Sequence, residues 1–344
     1  MTTLADALRK VREGSTTPPP PPVEEKDTLD GVLPEEREGV PFAEVFGWEP
    51  ERPLNITVLE GRPDVPAIDH SYMFPKKETE MLMRAIELGM KARLVGQPGT
   101  GKTELVKQVC ARTGRSFGRI NFNIAMEPED LFGCVEVVDG ATKFLEGDFV
   151  NWFREGYTIL FDEMHRAPAS FAMTMQRVFE DGGHLHLTAK RDGDNLIAPH
   201  PHTVMLAADN TKGLGDEMDS FGSAQIQDVS TINRWEVCIE MDYLSLEEEK
   251  TLITHYAPAI PADIRDKLAT TSRLLKQAYK EKQVELPFSP RNLKTVCRLT
   301  VETGNPVTAL AFSYANSLPA AQKSAVDKLV CDTVGFASMY GRIV

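Results

Sequence analysis

The feature that most constrains this chain is a glycine-rich segment at residues 96–103, Gly-Gln-Pro-Gly-Thr-Gly-Lys-Thr. It matches G-x-x-x-x-G-K-[ST] at each specified position, between an apolar strand ending at Val95 and a helical pattern over residues 105–111. Glycines let backbone N–H groups surround a phosphate, and the helix start adds a favourable dipole. We predict that Lys102 contacts the β/γ-phosphates and that the Thr103 hydroxyl binds Mg²⁺. The predicted binding residues are Gly96, Gln97, Pro98, Gly99, Thr100, Gly101, Lys102, Thr103 and Glu104.

A second segment could supply catalytic groups to the same phosphate site. It is the apolar stretch at residues 157–161, which is followed by Asp162 and Glu163. The carboxyl ends of parallel strands are where ligands bind in such sheets. Phosphoryl transfer also needs a second metal contact and a group that orients water. We therefore predict Asp162 as the Mg²⁺ partner, usually through water, and Glu163 as the general base. An acidic helix cap remains an alternative explanation for one of the two acids.

The chain alternates between apolar strands and helical stretches, which favours βαβ units and a parallel sheet. One helical pattern covers residues 78–92. After Leu244 the pattern becomes helical throughout. The predicted regions are a flexible proline-rich arm (1–38), a nucleotide-binding core (39–245) and a second, all-α domain (246–344). The candidate strands are residues 93–95, 119–122, 157–161, 203–208 and 236–241.

Charge and cysteine usage exclude several classes of protein. The chain has 38 Lys and Arg against 51 Asp and Glu, a net charge of −13, which argues against general binding to nucleic acid. No apolar run approaches the ~18 residues of a membrane-spanning helix, and the first ten residues hold no secretory segment, so we expect a cytoplasmic protein. The five cysteines are far apart and form no Cys-x-x-Cys pair, which predicts reduced and mostly buried thiols.

Further segments resemble those of the AAA+ ATPases of the MoxR group, with the nearest pattern in the CobS-type ATPase subunit of cobaltochelatase. The resemblance covers roughly residues 41 to 300. It departs from the family at Asp209, where the family usually has a small or hydroxyl residue. The segments that carry it, besides the loop and the acidic pair, are residues 45–47, 68–74, 127–133, 176–180, 199–201, 207–211, 213–216 and 233–235.

The resemblance implies a fold and roles for further residues. The fold is α/β: an AAA+ P-loop core with a parallel five-stranded sheet flanked by helices, two β-hairpin insertions and a smaller all-α lid domain. Asn210 resembles the sensor residue that holds the attacking water, although an Asn in a turn is the commoner explanation. Arg234 is at the position of the arginine finger, which acts on a neighbouring subunit, or else it forms a surface ion pair. Arg291, in Ser289-Pro290-Arg291, resembles the lid sensor, and Arg166 and Arg177 are further candidates for subunit contacts.

The two implied insertions are hairpins. One covers residues 134–148, with Asp139-Gly140 as a turn signal and a tip expected to project Lys143, Phe144 and Leu145 into a central pore. The other pairs residues 184–187 with residues 195–197.

The resemblance also implies an activity and partners. It predicts an ATPase that binds ATP and Mg²⁺ between subunits of a homo-hexamer, and that remodels a target together with a von Willebrand factor A domain protein. One alternative is the ATPase subunit of a cobalt or magnesium chelatase, and another is an ATP-dependent scaffold with little turnover. A DNA motor is a third alternative, which the net negative charge disfavours.

Overall fold

The structure, a computed structural model, consists of two units. The first comprises Asp30–Gln97 and Gly101–Asp242, and the second includes Pro98–Thr100 and Tyr243–Val344. Of the predicted arm, only residues 36–38 are described, and they begin a strand. Residues 211 and 213–216, which carry part of the family resemblance, lie outside the described residues. The structure describes residues 36–123, 125–138, 140–167, 171, 174–180, 182–190, 194–210 and 233–336.

The described part of the first unit alternates strands with helices. The helix predicted over residues 78–92 begins earlier and ends at Glu87, since Gly89 adopts a left-handed φ of 66° and Ala92 already belongs to a strand. The elements are β1 (Glu36–Pro41), α1 (Phe42–Phe46), β2 (Asn55–Leu59), α2 (Lys76–Glu87), β3 (Ala92–Val95), α3 (Lys102–Thr113), β4 (Phe117–Asn121), α4 (Pro128–Phe132), β5 (Gly133–Val138), β6 (Ala141–Glu146), α5 (Asp148–Glu155), β7 (Thr158–Asp162), a 3₁₀ turn (Met164–Arg166), β8 (Leu185–His186), β9 (Leu196–Ile197), β10 (Val204–Asp209) and β11 (Val237–Glu240).

Five of these strands form one sheet in the order β11-β3-β10-β7-β4, and each neighbouring pair is parallel. The predicted α/β class, with a five-stranded parallel sheet, is therefore confirmed. Both β3 and β7 are buried along their whole length, as expected for strands covered on both faces. The β1–β2 pair is a separate antiparallel ribbon.

The acidic residues that end β7 and β10 point to opposite faces of the sheet. Side chains alternate along a strand, so Leu160 packs in one apolar cluster and Phe161 in the other. Asp162 is two residues after Leu160, so its side chain is on the same face of the sheet, where α3 packs. Asp209 follows the parity of Ala207, on the opposite face. The two carboxylates at this edge of the sheet therefore have different neighbours.

The two predicted hairpins are present, but one detail of the first is wrong. Strands β5 and β6 pair from Gly133↔Glu146 to Val138↔Ala141, so the connection lies at residues 139–140. Lys143, Phe144 and Leu145 are within β6, paired with residues 134–136, and not at the tip. Phe144 also packs against the apolar core, because the strand's alternation turns it inward. Strands β8 and β9 pair as predicted.

The described part of the second unit is helical. Two of its helices begin at a serine that caps the first turn, because the Ser245 and Ser289 hydroxyls accept hydrogen bonds from the backbone N–H groups of Glu248 and Asn292. None of the helices that the structure describes is long and apolar enough to cross a membrane. The elements are α6 (Leu246–Tyr256), α7 (Ala262–Lys280), α8 (Pro290–Thr303), α9 (Pro306–Ser313), a 3₁₀ turn (Ala315–Ser317), α10 (Ala320–Leu329) and a π-helical turn (Val330–Val334).

The cysteines are all free thiols, but they are not mostly buried. Cys110 and Cys297 are buried, and their burial raises the pKa of each thiol to about 12. Cys238 is exposed, and Cys134 and Cys331 are half-buried. The two buried thiols are small apolar groups of the core.

Candidate functional site

The glycine-rich loop connects β3 to α3, which is the setting that the motif requires. Gly99 and Gly101 have left-handed φ values of 81° and 90°, which a residue with a Cβ rarely adopts. Gly101 immediately precedes the twelve-residue helix α3, and the first-turn N–H groups of a helix have no acceptor within that helix. The loop therefore fits an anionic group such as a phosphate.

Part of this loop, Pro98–Thr100, belongs to the second unit. Within that unit the Tyr243 hydroxyl donates a hydrogen bond to the Pro98 carbonyl (3.0 Å). A Cβ built on Gly99 would lie 2.7 Å from the Cβ of Ser289, so only glycine fits there. Ser289 opens the predicted lid-sensor motif, and Arg291, two residues on, is exposed on the first turn of α8.

Lys102 is buried at the start of α3 with all three ammonium protons used. Its Nζ donates to the carbonyls of Gly96 (2.7 Å) and Gln97 (3.1 Å) and to Oδ1 of Asn210 (2.9 Å). Burial lowers the pKa of Lys102 to about 8, and nearby carboxylates, with Asp162 the strongest, offset part of that effect. Lys102 therefore remains mostly cationic at neutral pH, as a phosphate contact requires.

Thr103 and Asp162 meet across the gap between α3 and β7. The Thr103 hydroxyl donates to Oδ2 of Asp162 at 2.9 Å. A hydroxyl and a carboxylate are the hard oxygen ligands that Mg²⁺ prefers, so this pair fits the predicted metal contact. The parity of β7 explains the contact, because Asp162 points to the face covered by α3.

Arg119 is a residue of this site that no sequence motif identifies. It lies on β4 beside β7, and its Nε and guanidinium NH2 are 2.8 and 2.7 Å from Oδ2 of Asp162. Half of its side chain is exposed, so solvent screens the pair. The available signal was an arginine in the middle of a short, mostly apolar strand.

Glu163 adopts a left-handed backbone conformation (φ 55°, ψ 42°) directly after β7. Its N–H donates to the carbonyl of Ala208 (2.9 Å), which ties the turn to β10. Its Oε2 lies 2.8 Å from NH1 of Arg166, so that candidate for a subunit contact pairs within its own chain. A strained non-glycine residue persists only where its surroundings fix it, and such residues cluster at functional sites.

A buried charged cluster lies on the opposite face of the sheet from Thr103. The Asp209 carboxylate contacts the Arg93 guanidinium (Nε 2.9 Å, NH2 2.8 Å) and both the backbone N–H (2.8 Å) and Nδ1 (3.1 Å) of His165. These three side chains are at most 3% exposed. In the sequence, Asp209 stands out only as a departure from the family pattern.

The structure brings some of the predicted residues together and leaves others apart. Lys102 contacts Asn210, Thr103 contacts Asp162, and Glu163 adjoins Asp162, so these five form one site within the first unit. Glu104 is half-buried on the first turn of α3 and accepts a hydrogen bond from Gln108 (3.3 Å). Arg234 is half-buried immediately before Trp235, and Arg177 is exposed.

Comparison with known proteins identifies the class of domain that this fold and loop define. Residues 92–220 match the profile of the AAA domain of the dynein-related subfamily. This match confirms the resemblance to AAA proteins, and the chain is related to AAA+ ATPases.

The resemblance to CobS is confirmed over most of the chain. The aerobic cobaltochelatase subunit CobS of Sinorhizobium sp is 25% identical over 296 residues, which are 83% of this chain and 88% of that protein. Midasin of Dictyostelium discoideum is 31% identical over 122 residues, or 35% of this chain and 2% of that protein. The von Willebrand factor A domain-containing protein 8 of Mus musculus is 23% identical over 231 residues, or 64% of this chain and 12% of that protein. The latter two relatives therefore share only a small part of their length with this chain.

Proposed function

We propose that this chain is a Mg-ATP-hydrolysing motor. The observation that carries the proposal is the joint placement of Lys102 against Asn210 (2.9 Å) and of Thr103 against Asp162 (2.9 Å). Lys102 binds the β- and γ-phosphates together with the N–H groups of the loop. Thr103 and Asp162 hold Mg²⁺, which neutralises charge on the phosphates when it is bound.

In this proposal Glu163 and Asn210 act on the attacking water. The Glu163 carboxylate follows β7 directly and accepts a proton from that water as general base. The Asn210 amide, which already contacts Lys102, orients the water and responds to the γ-phosphate. Both residues sit at the carboxyl ends of neighbouring strands, β7 and β10, so they face the same edge of the sheet.

The direct test is ATP turnover by the purified full-length chain. We expect phosphate release that requires Mg²⁺ and is lost when EDTA removes it, because Thr103 is neutral and Asp162 is an anion, so neither can neutralise the phosphate charge without the metal. Coupled-enzyme assays at increasing protein concentration measure both the rate and its dependence on assembly. Tight nucleotide binding without phosphate release at any concentration would instead support the scaffold alternative.

We further propose that the active form is a homo-hexameric ring in which Arg234 reaches the γ-phosphate bound by the neighbouring subunit and Arg291 acts from the lid. A guanidinium supplied to the transition state is worth about 10³- to 10⁵-fold in turnover in comparable enzymes. Since such an arginine acts across a subunit boundary, the rate should rise with assembly.

Mixing variants tests that arrangement. Arg234→Ala and Lys102→Ala should each be inactive alone, yet their mixture should recover activity, because some interfaces then combine an intact Lys102 with an intact Arg234. Turnover is measured against mixing ratio, with the exposed Arg273→Ala as a matched arginine control that stays active. If no mixing ratio restores activity, action between subunits is contradicted.

For the cellular role we propose remodelling of a protein target with a von Willebrand factor A domain partner. The mouse relative, whose own name contains that domain, supports this kind of partner. A second candidate, the ATPase subunit of a metal chelatase, is favoured by the relation to CobS over 88% of that protein. Mass spectrometry of chains that co-purify with the native protein decides between the two.

A further inference from the structure

Both carboxylate oxygens of Asp209 accept hydrogen bonds from other groups of the protein. Oδ2 accepts two contacts from the Arg93 guanidinium, at 2.9 and 2.8 Å, and Oδ1 accepts the His165 backbone N–H at 2.8 Å. Nδ1 of His165 lies 3.1 Å from the same Oδ1. Because the Asp209 side chain is 0% exposed, these contacts replace all of its hydration. The cluster therefore has one geometry, set by directional bonds on both oxygens.

Three parts of the proposed ATP site meet at this residue. The Asp209 carbonyl accepts the N–H of Gly96 (3.3 Å), the first residue of the phosphate loop. The next residue is Asn210, which contacts Lys102. The carboxylate holds His165, in the turn that follows Glu163. Asp209 is thus linked to the loop, to the water-orienting amide and to the general base.

Stability alone does not account for such a cluster. Removing charges from water is costly, and replacing a buried ion pair by apolar residues of similar volume is often neutral or stabilising. An apolar pair at residues 93 and 209 would fill the same space, but it would offer no acceptor to the His165 N–H. The carboxylate, unlike an apolar side chain, fixes the orientation of the turn after β7 through this hydrogen bond.

We propose that Asp209 is a positioning residue that, through His165 and with Arg93 as its counter-ion, fixes the Glu163 turn relative to Asn210 and the phosphate loop. Glu163 has a left-handed backbone, which requires such support. This inference rests on the proposed ATPase function. It concerns two residues, Arg93 and Asp209, to which that function assigned no role.

The first variant is Asp209→Asn, which keeps the shape and loses the charge. We expect kcat to fall by about 10- to 100-fold, because small displacements of a catalytic group have effects of this size. KM and nucleotide affinity should change by less than about threefold, since Lys102 and the loop remain in place. A split between kcat and KM is the signature of positioning.

The second variant separates positioning from folding. Arg93→Met combined with Asp209→Leu removes both charges together, so its unfolding temperature should be close to that of the parent or above that of Asp209→Asn. We expect kcat to stay about tenfold or more below the parent even so. Recovery of kcat to the parental value in this folded double variant would overturn the proposal and leave a structural role.

A matched control uses another ion pair of the first unit. Arg115 and Glu87 are 3.5 Å apart with side chains 5% and 19% exposed, and they lie outside the proposed site. Replacing them by Met and Leu should change the unfolding temperature and leave kcat within about twofold of the parent. A loss of kcat as large as in the Asp209 variants would contradict the specific role of Asp209.

Hydrogen exchange provides a readout that does not depend on turnover. In both Asp209 variants, amides of residues 163–167 should exchange about tenfold faster or more, while the strands of the sheet keep their protection. If the parent lacks ATPase activity, the proposed function fails, and the exchange data still decide whether Asp209 holds the turn. Unchanged exchange at residues 163–167 would overturn the inference in either case.

Discussion

Glu163→Gln is expected to abolish ATP turnover while leaving nucleotide binding intact. The amide is almost the same shape as the carboxylate, but it cannot accept a proton from the attacking water. General-base catalysis contributes about 10²- to 10⁴-fold, so kcat should fall by that factor. Lys102, Thr103 and Asp162 are unchanged in the variant, so the dissociation constant for ATP should remain near that of the parent.

The local structure indicates that this substitution leaves the backbone around residue 163 unchanged. The left-handed conformation of Glu163 is fixed by backbone bonds, from its N–H to the Ala208 carbonyl and from the Arg166 N–H to its own carbonyl (2.8 Å), which glutamine retains. The side chains of the ion pair with Arg166 are 38% and 31% exposed, so solvent screens the pair and it contributes little to stability. Because ATP then stays bound, the variant should also prolong the lifetime of the proposed hexamer, measured by size-exclusion chromatography with ATP.

Single-turnover phosphate release and equilibrium titration with a fluorescent ATP analogue together measure the effect. Glu155→Gln, an exposed glutamate at the end of α5, is the matched control and should behave like the parent. Normal turnover by Glu163→Gln would show that another group accepts the proton.

Much of the fold was predictable because local patterns determine it. The phosphate loop has fixed spacing, and the five apolar strands of the sheet occur where the sequence predicts them, with β7 ending at Asp162. These features depend on residues close together in the chain. The first hairpin shows the limit of such patterns. The connection at residues 139–140 was identified, but Lys143, Phe144 and Leu145 were wrongly expected at the tip.

The part of the site that the sequence did not reveal depends on long-range contacts between charged residues in strands. Arg93 and Asp209 are 116 positions apart, and Arg119 and Asp162 are 43 apart. No spacing rule connects such residues, since their pairing follows from the strand order β3-β10-β7-β4. Once that order is known, parity along each strand assigns Asp162 to the α3 face and Asp209 to the other. From the sequence, Asp209 was visible only as a departure from the family pattern and as an acid at the end of an apolar strand.

Lys102→Ala is expected to remove nucleotide binding. In the parent, the ammonium group is held between the Gly96 and Gln97 carbonyls and the Asn210 amide, all within 3.1 Å, so it is already oriented at the mouth of the loop. Each hydrogen bond to a charged group contributes about 1.5–3 kcal/mol. Losing two such bonds to the phosphates should weaken binding by at least about 100-fold.

The matched control for this prediction is Lys107→Ala, a half-exposed lysine of the same helix whose Nζ lies 3.9 Å from Glu104. It removes the same charge one and a half turns from the loop, so it separates the local contact from the general field of a cation. Isothermal titration calorimetry with Mg-ATP should give a dissociation constant near the parental value for Lys107→Ala and no measurable binding for Lys102→Ala. Equal affinities in the two variants would mean that the triphosphate does not occupy the loop between β3 and α3. Because every assigned role at Thr103, Asp162, Glu163 and Asn210 depends on that occupancy, this comparison tests the site as a whole.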